Sequence, residues 1–180
     1  GRSLVSRHDP VIEAVDVRFG EQPAVGVHRQ LAIEPVVAGR DPAADLAFFE
    51  EDSYGEARVA TEIADASHAT WVCETADGAL LAYAHCGPSK LPHPEVTDRS
   101  GEMYQLYVRR DAQGMGLGKR LLATALDWLR TAYPGPQWIG VWSGNDRAQA
   151  VYAAQGFEQV GGYEFPVGDH RDAEFILRRP

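Results

Sequence analysis

Cysteine is scarce in this chain of 180 residues: there are two, Cys73 and Cys86. Both fall in stretches that read as strands. If Asp77-Gly78 is a two-residue hairpin turn, Cys73 faces Ala82 and Cys86 faces Ala69, so no disulfide joins the two thiols. A pair of buried free thiols fits a reducing compartment and a cytoplasmic location. Positive charge is in the minority, with 17 Lys and Arg against 26 Asp and Glu and a net charge of −9. That argues against nucleic-acid binding through a broad basic surface; it suits a cationic substrate, as it suits many soluble proteins. No apolar run approaches the roughly 20 residues of a membrane span, and no signal-peptide pattern opens the chain, so no membrane partner is expected. His68, His85, His93 and His170 lack metal-ligand spacing, and no metal site is expected. Repeats and low-complexity tracts are lacking as well. The remainder, 44 % hydrophobic and 24 % charged, is ordinary globular composition with enough length for one well-cored domain.

Residues 1–13 are poorly patterned and read as an N-terminal extension to a single domain over 14–180. EAVDVRF (13–19) alternates like a strand. Helical segments follow over 23–37, over about 42–53 behind the Asp41-Pro42 start signal, and over 55–66. ATWVCET (69–75) and ALLAYAHC (79–86) flank Asp77-Gly78 and read as a hairpin. Residues 87–101, with three prolines and no apolar period, read as a loop. EMYQLYV (102–108) is a strand, and 116–133 is an amphipathic helix with Leu117, Leu121, Leu122, Ala125, Trp128 and Leu129 on or near one face. QWIGVW (137–142) is a largely apolar strand suited to a buried parallel position. A helix over 147–155 ends at Gly156, and two strands close the chain over 157–167 and 173–179. The strand–helix–strand unit implies one parallel pair with a right-handed crossover in an otherwise antiparallel sheet, hence a mixed α/β domain.

VRRDAQGMGLGKRLL (108–122) places Gly114, Gly116 and Gly118 where a helix begins, although glycine in a helix interior costs up to about 1 kcal/mol against alanine. A P-loop is excluded, because Gly118-Lys119 is followed by Arg120 and Gln113 stands five positions before Gly118. A dinucleotide fingerprint is excluded, because the third glycine would fall on Leu121 or Lys119. What remains is a glycine loop feeding a helix N-terminus. Its first-turn N–H groups lack internal acceptors and lie at the positive end of the helix dipole, where missing Cβ atoms let an anion such as a pyrophosphate approach. Lys119 and Arg120 add positive charge. A plain glycine-rich connector is the other reading of the loop alone.

Gln113-x-x-Gly116-x-Gly118 resembles the (Arg/Gln)-x-x-Gly-x-(Gly/Ala) motif of the Gcn5-related N-acetyltransferases, abbreviated GNAT. NDRAQAVYAAQGF (145–157) resembles the family's Asn…Ala…Tyr…Gly-Phe block. Residues 140–169, with Gly-Val-Trp, Asn, Tyr, Gly-Phe and Phe-x-x-Gly-Asp in order, resemble the PaiA-like polyamine acetyltransferases within it. The likeness covers about 69–180 and is faint before that. It implies a central mixed sheet of about six or seven strands, mostly antiparallel with one splayed parallel pair, flanked by about four or five helices. It also implies acetyl-CoA as cosubstrate and a primary amine of a small molecule as acceptor, a polyamine being one candidate. A protein N-terminus or lysine is the alternative acceptor, and a non-catalytic CoA-binding or sensing domain is an alternative of another class. A homodimer is one oligomeric outcome the resemblance leaves open.

Carried over residue by residue, the resemblance puts the diphosphate on Gln113, Gly114, Met115, Gly116, Leu117, Gly118 and Lys119, and pairs the pantetheine arm with main-chain groups of Leu106, Tyr107 and Val108. An N–H of Leu106 or Tyr107 would stabilise the charge developing on the thioester oxygen. Asn145 would cap the following helix, touch the pantetheine, or both. Glu102 matches the position of the Gcn5-type glutamate and would be the base; a solvated strand-end carboxylate is its other reading. Tyr152 matches the family's tyrosine and would protonate the leaving thiolate; packing beside Phe157 is its other reading. Cys86 beside His85 is not a nucleophile–base pair, because neighbouring strand residues face opposite ways. Trp71, Trp128, Trp138 and Trp142 read as core or pocket wall. Glu50-Glu51-Asp52 reads as a solvated face or the lining of an acceptor cleft.

Overall fold

The computed structural model describes residues 16–19, 61–62, 64–75, 77–167 and 170–180. The expected extension 1–13, the helices over 23–37 and 42–53, and Glu50-Glu51-Asp52 lie outside the described residues. Of the helix expected over 55–66, Thr61, Glu62, Ala64, Asp65 and Ala66 are described; the first three are helical, and Asp65 and Ala66 already lie outside the helix.

The strands are β1 (Asp16–Phe19), β2 (Ala69–Glu74), β3 (Leu80–Pro88), β4 (Gly101–Val108), β5 (Gln137–Trp142), β6 (Glu158–Val167) and β7 (His170–Arg179). They form one seven-stranded sheet in the order β1-β2-β3-β4-β5-β7-β6. β4 and β5 are its parallel pair, and the other neighbours are antiparallel. Two helices, α1 (Leu117–Ala132) and α2 (Asp146–Ala153), follow β4 and β5, with a short 3-10 turn over Arg110–Ala112.

The β2–β3 register is the expected one: Cys73 faces Ala82 and Cys86 faces Ala69. Both thiols are buried and free. The turn differs from the expected two-residue form. Thr75 N–H donates to the Ala79 carbonyl and Gly78 N–H to the Thr75 carbonyl, both at 2.9 Å, so three residues form the loop. Gly78 closes it at φ 85°, a left-handed conformation that glycine adopts without strain. The extra loop residue shifts the register by one, and a bulge between Cys73 and Glu74 absorbs the shift.

Leu117, Leu121, Leu122, Ala125, Leu126 and Leu129 recur along α1 at helical spacing and are buried against one face of the sheet. Leu126 was not among the residues expected there, whereas Trp128 lies half-buried at the edge, its ring edge-on to Trp71 and Tyr133. The helix ends at Tyr133 ahead of Pro134-Gly135-Pro136, as expected for prolines that cannot continue it. β5 lies inside the sheet and buries both its faces. Away from α1, residues 89–99 fold over the opposite face, where Leu91 packs with Trp138 and Ile176.

Leu121 is fully buried in the main core. Leu121→Ala should lower unfolding free energy by about 2–5 kcal/mol, whereas Val151→Ala on the exposed side of α2 should change it by less than about 0.5 kcal/mol. Urea denaturation followed by circular dichroism measures both.

Candidate active site

The sheet is split at its centre. β4 and β5 pair only at Gly101↔Gln137 and Glu102↔Trp138; beyond these the strands run on without pairing. β5 stays paired with β7 along its whole length, so the open edge is the one facing β4. A bulge on β4 accompanies the opening. His85 pairs with Gln105 and Cys86 with Met103, leaving Tyr104 as the extra residue, and such a residue bends its strand.

The bulge also decides which main-chain groups face the split. Arg109 N–H donates to the Leu81 carbonyl at 2.8 Å, so this residue faces β3. Alternation along an antiparallel ladder then turns Tyr107 and Gln105 toward β3, and Leu106 and Val108 toward the split. Of the three residues expected to offer main-chain groups there, Tyr107 is thus turned away, because it pairs with Tyr83.

At the open end of the split lies the glycine loop. Gly114 and Gly116 sit at φ 89° and 80°, and a Cβ built on either would meet nothing within 4 Å. Gly116 is the N-cap of α1 and brings no capping side chain, and the first turn holds no acidic residue. The N–H groups of Leu117, Gly118 and Lys119 therefore have no acceptor among the described residues. Gly118 serves closeness: a Cβ there would stand 3.3 Å from Val108 Cγ2. The Leu117 side chain is buried, so this residue can offer only main chain to a ligand; Met115 is half-buried against the core, and its N–H donates to the Ala112 carbonyl at 3.4 Å.

Gln113 ties the three elements together. Its Nε2 donates to the Val108 carbonyl at 3.3 Å, and its Oε1 accepts from Arg147 Nη1 at 2.9 Å. Arg147 thereby stands at the mouth of the split. It went unremarked in the sequence, although a basic residue two positions after a helix-capping asparagine was visible. Asn145 caps α2, its Oδ1 accepting from Ala148 N–H at 3.1 Å.

Glu102 is not a solvated carboxylate. It is buried on the sheet face opposite α1, beside the last paired position of β4 and β5. Its Oε2 accepts from Lys90 N–H at 2.7 Å and from the Ser89 hydroxyl at 3.2 Å. Burial pushes its pKa up to about 7, against the pull of those bonds and of the Lys90 charge. Tyr152 lies in the core on the α1 side, its ring edge-on to Phe157 with 6.2 Å between centroids. Burial pushes its phenol up to about 12, and its hydroxyl has no hydrogen-bond partner among the described residues. The two candidate proton-transfer groups thus belong to opposite faces of the sheet. A second carboxylate, half-buried Glu174, accepts from Tyr163 Oη at 2.6 Å over Gly140; nothing in the sequence pattern distinguished it.

Beside this split and glycine loop stands a family match: residues 40–157 match the Acetyltransferase (GNAT) family. The chain belongs to that family. It is 29 % identical over 135 residues to an N-acetyltransferase of Lactobacillus delbrueckii subsp. lactis, covering 75 % of this chain and 78 % of that one. It is 31 % identical over 137 residues to the N-alpha-acetyltransferase RimI of Mycobacterium tuberculosis, covering 71 % and 82 %. The fold is similar to a PaiA N-acetyltransferase from Thermoplasma acidophilum, solved in complex with coenzyme A: TM-score 0.71 and 16 % identity, over 93 % of this chain and 99 % of that one. The chain is therefore an acetyl-CoA-dependent N-acetyltransferase, and the expectation of an enzyme stands over that of a non-catalytic sensing domain.

Folding raises the Glu102 pKa from the usual 4.5 to about 7, so the native state holds this proton more tightly than the unfolded chain does. The group's contribution to stability is fully present below about pH 4.5 and falls as pH rises through about 7, by about 3 kcal/mol in all. Glu102→Gln keeps an acceptor for Lys90 N–H and removes that loss. Urea denaturation at pH 5 and pH 8 should show the variant gaining on the wild type at the higher pH.

Proposed function

We propose that the enzyme acetylates a primary amine of a small molecule, with a polyamine as one such acceptor, by direct transfer between two bound substrates. The observation that carries this reading is the two-residue limit on β4–β5 pairing directly beside Glu102. Acetyl-CoA supplies the activated acetyl group as a thioester. Its diphosphate fits the N–H groups of Gly114, Gly116, Leu117, Gly118 and Lys119, with Gln113, Lys119 and Arg147 at the rim. Leu106 and Val108 offer main-chain groups along the split, in the manner of a strand accepting another. Leu106 N–H, turned into the gap, is the donor aimed at the thioester oxygen as charge develops there.

An amine with a pKa near 10.4 is almost wholly protonated at neutral pH and must lose a proton to attack. A carboxylate poised at about 7 in a buried site takes that proton directly or through water. Tyr152 stays protonated at working pH and gives a hydrogen bond or proton to the departing thiolate from the other face. Asn145 orients α2, which carries that tyrosine. The net charge of −9 favours a cationic acceptor, and the two free buried thiols fit a cytoplasmic location. A protein N-terminus is the second acceptor class, favoured by the relative named N-alpha-acetyltransferase.

Thiol release from acetyl-CoA with a panel of diamines, monoamines and N-terminal peptides tests the acceptor; turnover on peptides alone would overturn the small-amine reading. Glu102→Gln should lower kcat about a hundredfold or more, with acetyl-CoA affinity within about twofold of wild type. Tyr152→Phe should lower kcat less steeply. The wild-type kcat/KM should rise with pH through about 7 as Glu102 loses its proton, and that limb should vanish in Glu102→Gln. Normal turnover in both variants would remove these roles.

A further inference from the structure

A run of polar contacts crosses the face of the sheet opposite α1, and the transfer reaction as described above does not use it. Thr70 Oγ1 lies 2.8 Å from His85 Nδ1. His85 Nε2 lies 3.2 Å from Glu62 Oε2, and Lys90 Nζ donates to Glu62 Oε1 at 3.1 Å. The same ammonium stands 4.6 Å from the centroid of the Tyr104 ring. Lys90 therefore joins two carboxylates: its side chain is held by Glu62, while its backbone N–H is one of the two close donors to Glu102.

We propose that Glu62 is a positioning residue for Glu102, acting through Lys90: it anchors the Lys90 side chain and so keeps the Lys90 N–H and the Ser89 hydroxyl on the Glu102 carboxylate. The inference rests on the reading of Glu102 as the base. Residues 89–99 leave the sheet after Pro88 and form neither helix nor strand, so no strand ladder holds their backbone. At the start of the segment Ser89 N–H donates to the Ser100 carbonyl at 2.8 Å, and the Leu91 side chain packs with Trp138 and Ile176. Between these two, Lys90 is half-exposed, and the contact that holds its side chain is the one with Glu62.

Glu62 suits the task because it does not titrate where Glu102 does. The His85 hydrogen bond, aided by Lys90, holds its carboxyl far below the usual range despite partial burial. Besides the Ser89 hydroxyl and the Leu91 N–H, the titratable groups that interact with Glu102 from the surrounding elements are Lys90 of the loop, Cys86 of β3, Tyr104 of β4 and Tyr163 of β6. The thiol and both phenols are pushed up by burial and stay neutral near pH 7, so Lys90 is the charged one of the four. Withdrawing Lys90 takes a hydrogen bond and a positive charge from the carboxylate together, and both losses favour the protonated form.

The test uses the full chain labelled with 13C-glutamate, with the Glu102 carboxyl resonance assigned by its loss in Glu102→Gln. Glu62→Gln should move the titration of that resonance upward by about half a unit or more. Lys90→Met, which leaves the Glu62–His85 contact in place, should move it the same way. The double variant should move it no further than the larger single shift, because the two side chains act as one unit. The acidic limb of kcat/KM should move in step, with the acetyl-CoA dissociation constant unchanged. An unmoved Glu102 titration in the folded variants, or shifts that add, would overturn the proposal even if activity falls. A titration that moves while the kinetic limb does not would leave the positioning role standing and remove Glu102 as the base.

Discussion

β4 cannot satisfy two neighbours along its whole length, and the site follows from that constraint. The extra residue at Tyr104 keeps β4 in register with β3 while bending it away from β5. Backbone N–H and C=O groups left without a strand partner carry a cost unless water or a ligand meets them. Here they line the opened edge of β4 beside the glycine loop. The split forms beside the cradle because both belong to one continuous segment: β4 ends at Val108, and α1 begins nine residues later at Leu117. Gln113 then links that segment to α2, so the cradle, the split and the helix carrying Tyr152 are held as one unit.

The two faces of the sheet are built differently. The α1 face is a continuous apolar core that runs from Trp71 to Leu177 and includes Tyr152. The opposite face mixes a small apolar cluster of Leu91, Trp138 and Ile176 with buried or half-buried ionisable groups. Glu102, Glu174, Glu62 and His85 all lie there, and each is met by a hydrogen bond or an opposite charge. That arrangement lets a carboxylate titrate near neutral pH without leaving it unsatisfied. Glu102 and Tyr152 lie on opposite faces, with the opened edge between them.

Much of this was legible in the residues. The apolar repeat from Leu117 to Leu129 marks α1; α2 ends at Ala153 with Ala154 as its C-cap, two residues short of the expected 155, and Gly156, at φ 84°, lies in the turn that follows. QWIGVW has the apolar continuity of a strand buried on both faces, and the structure gives it the same bounds, Gln137–Trp142. The three glycines mark the loop before α1, where Gly114 and Gly116 take left-handed conformations. Other features were hidden for physical reasons. The hairpin turn has three residues rather than two, since a bulge conceals the difference while keeping Cys73 opposite Ala82. Arg147 and Glu174 carry no periodic signal, and their meaning comes from neighbours distant in the chain.

Local patterning by itself determined the order of the described elements, the glycine loop ahead of α1 and the candidacy of Glu102 and Tyr152, because each depends on residues close together in the chain. Only the tertiary structure decided that Tyr107 turns its main chain toward β3, that Glu102 is buried and held by Lys90, and that Glu62 stands behind Lys90. Those facts depend on strand register and on contacts such as Glu62 to Lys90, 28 positions apart. Sequence spacing says little about such a contact, because a single bulge reverses which way every following residue on the strand points.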